Sequence, residues 1–385
     1  MYSRVCAKIH MDALEKNLTS MKANLQPQTK MIGVIKADAY GHGAVAVAQY
    51  MEKKEYVWGF ATATVDEAVS LREAGITRPI LILGFTFPED YERMALLDIR
   101  PAVFTAQMAQ QMSEAAQKTG KTIKIHLKVD TGMGRIGLYD DERGVRTACE
   151  IAAMKGLEIE GLFTHFARAD ETDITPAKLQ LSRYLNFRKA LEEEGIHISV
   201  SHVSNSAGIM RFPEANLDVV RAGITLYGLF PSDEVKEDPV FLSPLMAIKS
   251  HVAYVKEVCP GTSISYGGTF VADRTMKVAT IPVGYADGYP RSLSNKGWVL
   301  IHGHRCPILG RVCMDQFMVD VTELESVQVM DEVTLLGKDG EEKITAEMLG
   351  DLSGRFNYEL VCDLGPRIPR VYLKNGIQVD VKKGH

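Results

Sequence analysis

The sequence predicts an α/β protein, an N-terminal (β/α)8 TIM-type barrel followed by a smaller β-rich domain. Three observations predict it. Apolar, β-branched runs alternate with longer amphipathic runs from about residue 30 to residue 230, and eight such runs can be counted. A charged segment bracketed by Pro231 and Pro239, PSDEVKEDPV, then breaks the beat and reads as a linker. Beyond it the apolar runs are short and alternating, with tight turns such as KDGE, as in antiparallel β structure. At 385 residues the chain is long for one core. The expected domains are 10–237 for the barrel and 238–385 for the β-rich part, with residues 1–9 free to pair with the latter.

Taken in order, residues 4–9 read as a short strand. Leu14, Leu18, Met21 and Leu25 follow at helical spacing behind Asp12, a candidate N-cap. The eight barrel strands are MIGVIK, YVWGFATA, PILILGF, IRPAVF, IKIHLKVD, LEIEGLFTH, ISVSHVSN and LDVVRAGITLYG. Between them TVDEAVSLREAG, TAQMAQQMSEAAQKTG and PAKLQLSRYLNFRKALEEEG read as helices, and the link after the seventh strand is short. Continuous apolar runs suit strands buried on both faces. A doubly wound sheet would put a GxGxxG loop after its first strand, and ADAYGHG is not one. In the second part MKVATIPVG, WVLIHG and DEVTLLG read as strands, with one helix near TAEMLGDLSGRF.

Composition narrows the function classes. The chain is 46% hydrophobic and 24% charged, with a net charge of −5, so it carries no electrostatic footprint for nucleic acid. The start, MYSRVCAKIHMD, has no apolar core of signal-peptide length, and no apolar run is long enough to span a bilayer. Six cysteines are scattered without CxxC spacing, which points to a reducing compartment and a cytoplasmic enzyme.

In a barrel, chemistry gathers at the C-terminal ends of the strands. The first strand ends at Lys36, where burial favours an uncharged, nucleophilic amine able to form a Schiff base with a carbonyl substrate or with pyridoxal phosphate. A lysine that merely snorkels to water is the plain alternative. Tyr40 follows four residues on. The fifth strand supplies Lys128, Asp130 and then Arg135, the sixth His165, the seventh Ser204, Asn205 and Ser206, and the eighth Arg221 followed by Gly223. Singly, His165 reads equally well as a core histidine, Ser206 as a helix N-cap, Arg135 as part of a glycine turn, and Lys128 as facing the core or a helix. Jointly, so much convergent charge exceeds what packing needs. Asn205-Ser206 and Gly223-Ile224 also lie where barrels bind phosphate.

The stretches VIKADAYGHG, KVDTGMGRIG, FTHFA, SNSAGI, RAGITLYG, SISYGGTF, VGYADGY, GRVCMDQFMVDV and NYELVCDLGPRIPR resemble, in that order, the signature stretches of alanine racemases. The resemblance covers nearly the whole chain. It implies pyridoxal 5'-phosphate as cofactor, bound through Lys36, with Lys36 and Tyr266 as the two catalytic bases. Tyr40, Ser206, Gly223, Ile224 and Tyr358 would hold the phosphate, with Asn205 and Leu83 nearby. Arg221 would face the pyridine nitrogen, and His165 would link Arg221 to Tyr266. Arg135 and Met314, flanked by Cys313 and Asp315, would hold the substrate. Lys128 would be a carbamylated lysine that steadies Arg135. Tyr285, Asp170, Arg291 and Arg311 would line the substrate's access corridor. Tyr266 and Met314 would reach the site from a partner chain, which implies a homodimer with shared sites. The role implied is supply of D-alanine for bacterial peptidoglycan, with no nucleic acid and no membrane involved.

The chemistry suits these residue types. The pyridoxal ring acts as an electron sink for a substrate carbanion. Racemisation needs a base on each face, and an amine and a phenol both serve. A free phenol titrates near ~10, so Tyr266 needs nearby positive potential. Three other readings compete. A barrel decarboxylase would place a carboxylate where Arg221 stands, although Cys362-Asp363 resembles that class. A non-catalytic pyridoxal-phosphate carrier would lack the β-rich domain. A metal hydrolase would draw on His302 and His304, which lie outside the barrel and lack a carboxylate cluster.

Overall fold

The computed structural model describes residues 4–235 and 240–384. Its chain divides into two compact units, one built from residues 16–39 and 44–242, the other from residues 4–15, 40–43 and 243–384. The linker read at 231–240 is described only as far as Val235 and again at Val240. Residues 236–239, and with them the expected boundary at 237/238, lie outside the described residues, as do residues 1–3 of the N-terminal segment.

In chain order the strands up to the linker are β1 (Val5–His10), β2 (Lys30–Val34), β3 (Val57–Thr62), β4 (Ile80–Ile82), β5 (Ile99–Val103), β6 (Ile123–Asp130), β7 (Leu138–Tyr139), β8 (Leu157–Phe163), β9 (Val200–His202) and β10 (Val219–Ala222). Eight of them run parallel in the order β10-β2-β3-β4-β5-β6-β8-β9, with β7 added beside β6. Between β9 and β10 the barrel is joined where the Arg221 N–H donates to Ser204 O at 2.9 Å. All residues of β4 and β5 are buried, as expected for strands covered on both faces. The eight runs picked out by the sequence are these eight strands. The last is shorter than its apolar run, because Ile224–Tyr227 turns into a 3₁₀ helix closed by left-handed Gly228.

The barrel helices begin and end on local chemistry. Thr64 and Glu67 form a capping box at the start of the helix Val65–Glu73. Thr105 caps Ala106–Thr119, which stops at left-handed Gly120. The helix Thr175–Glu193 opens with Pro176 in its first turn. Two sequence expectations are corrected. The first helix spans Met11–Ala23, so Asp12 lies inside its first turn rather than capping it. Asn205, not Ser206, caps the short helix Ser206–Arg211, its side chain accepting from the Gly208 N–H at 3.0 Å.

The second unit holds β1 and the later strands: β11 (Met246–His251), β12 (Tyr254–Val258), β13 (Ser263–Ile264), β14 (Phe270–Val271), β15 (Met276–Ile281), β16 (Trp298–Ile301), β17 (His304–Leu309), β18 (Phe317–Asp320), β19 (Glu332–Asp339), β20 (Glu342–Ile344), β21 (Arg370–Lys374) and β22 (Ile377–Lys382). They form one large sheet and the small pair β13-β14. β1 lies between β11, antiparallel, and β21, parallel. Sequence reading placed one helix here, and the described residues form two α-helices after β20, Ala346–Ser353 and Asn357–Cys362. The second is six residues long, too short to show a periodic apolar face. Among the described residues no helix is long and apolar enough to cross a membrane.

Candidate active site

In the barrel unit, Lys36 stands half-buried at the end of β2. The next four residues, Ala37 to Tyr40, all have φ between 50° and 56°, a left-handed turn made without glycine. Such a conformation costs an L-residue roughly 1–2 kcal/mol. It persists because it is over-determined. The Ala37 N–H donates to Glu67 Oε1 at 2.6 Å, the Ala39 N–H to Ile35 O at 2.9 Å, and the Ala44 N–H to Asp38 Oδ1 at 2.9 Å. Glu67 thus serves both its helix cap and the backbone beside Lys36. The Thr-x-x-Glu spacing flags the cap in the sequence, but nothing flags the second role.

Arg221 is buried at the end of β10. Its terminal N–H groups donate to His202 Nδ1 (2.9 Å) and His202 O (3.0 Å), and to Thr164 O and Val203 O (both 2.8 Å), with His165 Nδ1 at 3.3 Å. The remaining donor, Nε–H, has no acceptor among the described residues. Burial pulls the guanidinium down to about 10, so it stays charged at neutral pH. His165, half-buried, is held well below the usual imidazole range by desolvation, then by Arg221, Arg135, Lys128 and Lys36. It is neutral at neutral pH, and the Arg221 donor leaves its proton on Nε2.

Lys128, on β6, faces the barrel core. Its Nζ is buried without a hydrogen-bond partner among the described residues, 5.8 Å from the Phe163 ring centroid. Burial, with Arg135 and Arg221 acting the same way, lowers its ammonium to about 8. Asp130 ends the same strand. Its Oδ1 accepts the N–H groups of Gly132 (3.0 Å), Met133 (2.9 Å) and Gly134 (3.1 Å), and its Oδ2 that of Arg135 (3.1 Å). Burial opposes the charge, yet these bonds hold the carboxyl below its usual range. Asp130 was visible in the sequence only as a strand-end polar residue, although Asp before a glycine turn is itself a turn signal. Gly137 returns the chain so closely that a Cβ there would lie 2.4 Å from Asp130 N.

The phosphate-type cradle is built on Ser206. Its Oγ accepts from the N–H of Gly223 (3.0 Å) and of Thr225 (3.4 Å), and shares a hydrogen bond with Thr225 Oγ1 (3.0 Å). Ile224 is buried beside it, while Asn205 and Leu83 are half-buried. Asp170 is half-buried, its carbonyl accepting from Ser232 Oγ at 2.6 Å.

The remaining predicted residues belong to the β unit. Tyr266, Cys313, Met314 and Asp315 share one open concavity of about 610 Å3 with Ser265 and Gln316. Tyr266 is 70% exposed and Met314 53%. Ser265, with φ at 67°, sets the turn before Tyr266 and donates to Arg311 O at 2.6 Å. Arg367 holds Asp315 at 2.8 Å. The Tyr285 loop is tied to the same edge, the N–H of Tyr285 donating to Cys313 O (3.1 Å) and that of Ala286 to Met314 O (3.0 Å). Arg291 lies on an exposed turn. Tyr40 is buried edge-on to Tyr358, ring centroids 6.0 Å apart, and burial raises its phenol. His302 pairs with Asp331 at 3.1 Å, and no group of three or more metal-ligating side chains gathers among the described residues.

The donor set fits a pyridoxal phosphate: an amine at Lys36, a uncommitted Arg221 Nε–H for a ring nitrogen, and a serine with backbone N–H groups for a phosphate. Comparison with known proteins bears on the family. The family model for the alanine racemase N-terminal domain matches residues 9–231, and that for the C-terminal domain matches residues 245–372. The chain is 44% identical to an alanine racemase of Methanococcus maripaludis over 96% of this chain and 98% of that protein. It is 45% identical to one of Carboxydothermus hydrogenoformans over 96% and 99%. The solved structure of an alanine racemase from Clostridium difficile 630 superposes with a TM-score of 0.95 at 41% identity, covering 100% of this chain and 99% of that one. On its sequence, its barrel and its β-rich partner unit, the chain belongs to the alanine racemase family.

Proposed function

We propose that Lys36 and Tyr266 are the two bases with which this alanine racemase interconverts L-alanine and D-alanine, and that pyridoxal 5'-phosphate is its cofactor. The observation that carries the reading is the position of Arg221, a buried cation whose Nε–H is the only one of its donors without an acceptor among the described residues. When bound, the cofactor would supply an electron sink for the carbanion formed at the substrate's α-carbon. Lys36 moves the proton on one face and Tyr266 on the other. Arg221 would donate to the ring nitrogen without giving up its proton. By leaving that nitrogen unprotonated, Arg221 would limit side reactions. His165, neutral and carrying its proton on Nε2, can donate to the Tyr266 oxygen and favour the phenolate. Ser206, Gly223 and Ile224 would hold the phosphate, and Tyr40 and Tyr358 are proposed for the same role. Arg135, with Met314, holds the substrate carboxylate, and Lys128 supports Arg135 as a carbamate.

Tyr266 and Met314 are too exposed in the single chain for a site that must exclude water, which favours a homodimer in which each β unit serves the other copy's barrel. Six unbridged cysteines suit a cytoplasmic enzyme. Supply of D-alanine for peptidoglycan is the family's general role.

Chiral analysis of the products tests the reading. The purified protein with pyridoxal phosphate converts L-alanine toward an equal mixture of enantiomers, and Lys36→Ala abolishes this. Faster racemisation of another amino acid would change the substrate and leave the two-base scheme. Full activity in Lys36→Ala would end the assignment of Lys36.

A further inference from the structure

Arg221 is one end of a hydrogen-bonded chain that crosses the barrel interior. It donates to His202 Nδ1 (2.9 Å), His202 Nε2 meets His126 Nδ1 (2.8 Å), and His126 Nε2 meets Glu160 Oε2 (3.1 Å). The four residues come from β10, β9, β6 and β8. Barrel interiors are ordinarily filled by branched aliphatic side chains. Here both imidazoles are fully buried, and the packing is shaped to them. Phe163 stacks on His202 with centroids 4.8 Å apart. Trp58 sets its ring against His126 at 5.5 Å. Gly161 leaves the space that His126 fills, since a Cβ there would stand 2.4 Å from His126 Nδ1.

The direction of every bond follows from the two ends: a guanidinium only donates and an ionised carboxylate only accepts. His202 Nδ1 therefore carries no proton, so the neutral ring carries it on Nε2 and donates to His126 Nδ1. His126 in turn carries its proton on Nε2 and donates to Glu160. The far end is fixed by charge, because Glu160 also accepts from Arg100 Nε at 2.8 Å and lies 3.6 Å from Lys124 Nζ. Burial keeps both rings neutral, aided at His202 by Arg221. A carboxylate at the end forces one tautomer on two rings in series.

We propose that Glu160 is a positioning residue of the active site, holding Arg221 in place by fixing the tautomers of His126 and His202. The proposal rests on the reading of Arg221 as the partner of the cofactor's ring nitrogen. Without an acceptor at Glu160, His126 can hold its proton on Nδ1, His202 then holds its own on Nδ1, and a donor faces the donor of Arg221. The guanidinium must move.

The test is ¹⁵N NMR of the histidine-labelled holoenzyme beside steady-state kinetics. In the wild-type protein both His126 and His202 show a pyridine-like Nδ1 and a pyrrole-like Nε2; a protonated Nδ1 on His202 overturns the proposal with no variant needed. Glu160→Met removes the acceptor at similar volume. It releases both tautomers and lowers kcat about ten- to hundred-fold, the span of one hydrogen bond to a charged group, with KM nearly unchanged. Glu160→Gln keeps an oxygen toward His126 and restores both the tautomers and most of kcat. Unchanged tautomers in Glu160→Met overturn the chain. Released tautomers with unchanged kcat overturn the role given to Arg221. Absence of racemisation in the wild-type protein would instead remove the proposed function, while leaving the NMR result readable.

Discussion

The Asp130 carboxylate accepts the backbone N–H of Arg135 at 3.1 Å, and three further N–H groups of the same loop at 2.9–3.1 Å. An acidic residue thus places a basic one without touching its side chain. Asp130→Ala frees the loop and with it the Arg135 guanidinium. If Arg135 holds the substrate carboxylate, KM for alanine rises about tenfold, as expected when about 1–2 kcal/mol of binding is lost. The kcat changes less than KM. Steady-state kinetics decide this: an unchanged KM would mean that the loop holds its shape without Asp130, or that Arg135 binds no substrate.

The left-handed turn after Lys36 gives a stability prediction of unusual sign. Ala37 is exposed, with φ at 50° and ψ at 51°. Glycine relieves roughly 1–2 kcal/mol of strain there and costs about 0.4–1 kcal/mol through the more flexible unfolded chain. Ala37→Gly should therefore leave the urea midpoint level or raised, whereas β-branched Ala37→Val should lower it. A clear loss in the glycine variant would show that the turn is not strained.

These features divide what the sequence reveals from what it hides. The eight strands were legible because each is buried on both faces and reads as an unbroken apolar run, as ILI in β4 does. Lys36, Arg135, His165 and Arg221 were legible because they end such runs or follow them. The left-handed turn was not, since KADAY contains no glycine and its conformation is held by Glu67, from outside it, and by the bond that its own Asp38 accepts from Ala44. His126 and His202 sit within IKIHLKVD and ISVSHVSN as ordinary alternating positions. Only the pairing of β6 and β9 on opposite sides of β8 brings the two rings to 2.8 Å.

Glu160 also sets an acid limit. Burial raises its carboxyl, but the hydrogen bonds from His126 and Arg100 outweigh this and hold it at about 2. A folded value below the ordinary ~4.3 means stability that is fully present above that pH and lost as pH falls toward 2; the difference corresponds to about 3 kcal/mol. Glu160→Gln should be less stable at neutral pH and show a shallower loss between these limits. Chemical denaturation at pH 7, 4 and 3 measures this, and parallel curves for both proteins would remove Glu160 from the acid transition.

Lys128 carries a chemical prediction. Its amine, lowered to about 8 by burial and by Arg135 and Arg221, is roughly one-tenth neutral at pH 7, and the neutral form is the one that adds carbon dioxide. The carbamate so formed is an anion beside two arginines, and it fills the bonding capacity that the bare Nζ leaves unused. The holoenzyme equilibrated with ¹³C-bicarbonate should give one carbamate carbon resonance that is absent in Lys128→Ala. Removing carbon dioxide should lower activity reversibly. Full activity in carbon-dioxide-free buffer, with no such resonance, would leave Lys128 a bare buried amine.

The exposure of Tyr266 and Met314 makes the strongest demand on assembly. If Tyr266 is one of the two bases, its 70% exposure leaves it no defined proton position against water, and its edge must be covered when the enzyme works. If a second copy covers it, the two bases of one site come from different chains, and two inactive variants can complement each other. Lys36→Ala has lost the base of its own barrel, and Tyr266→Phe has lost the base it lends. Unfolded, mixed in equal amounts and refolded, they form hybrid dimers in which one site lacks both bases and the other keeps both. Random pairing makes half of the dimers hybrids with one intact site each, so about a quarter of wild-type activity should return. The same mixture should give no activity if each chain builds its site alone, because every site would then lack one base. Light scattering on the wild-type protein sets the frame, since a monomer at micromolar concentration would exclude complementation before the mixing experiment began.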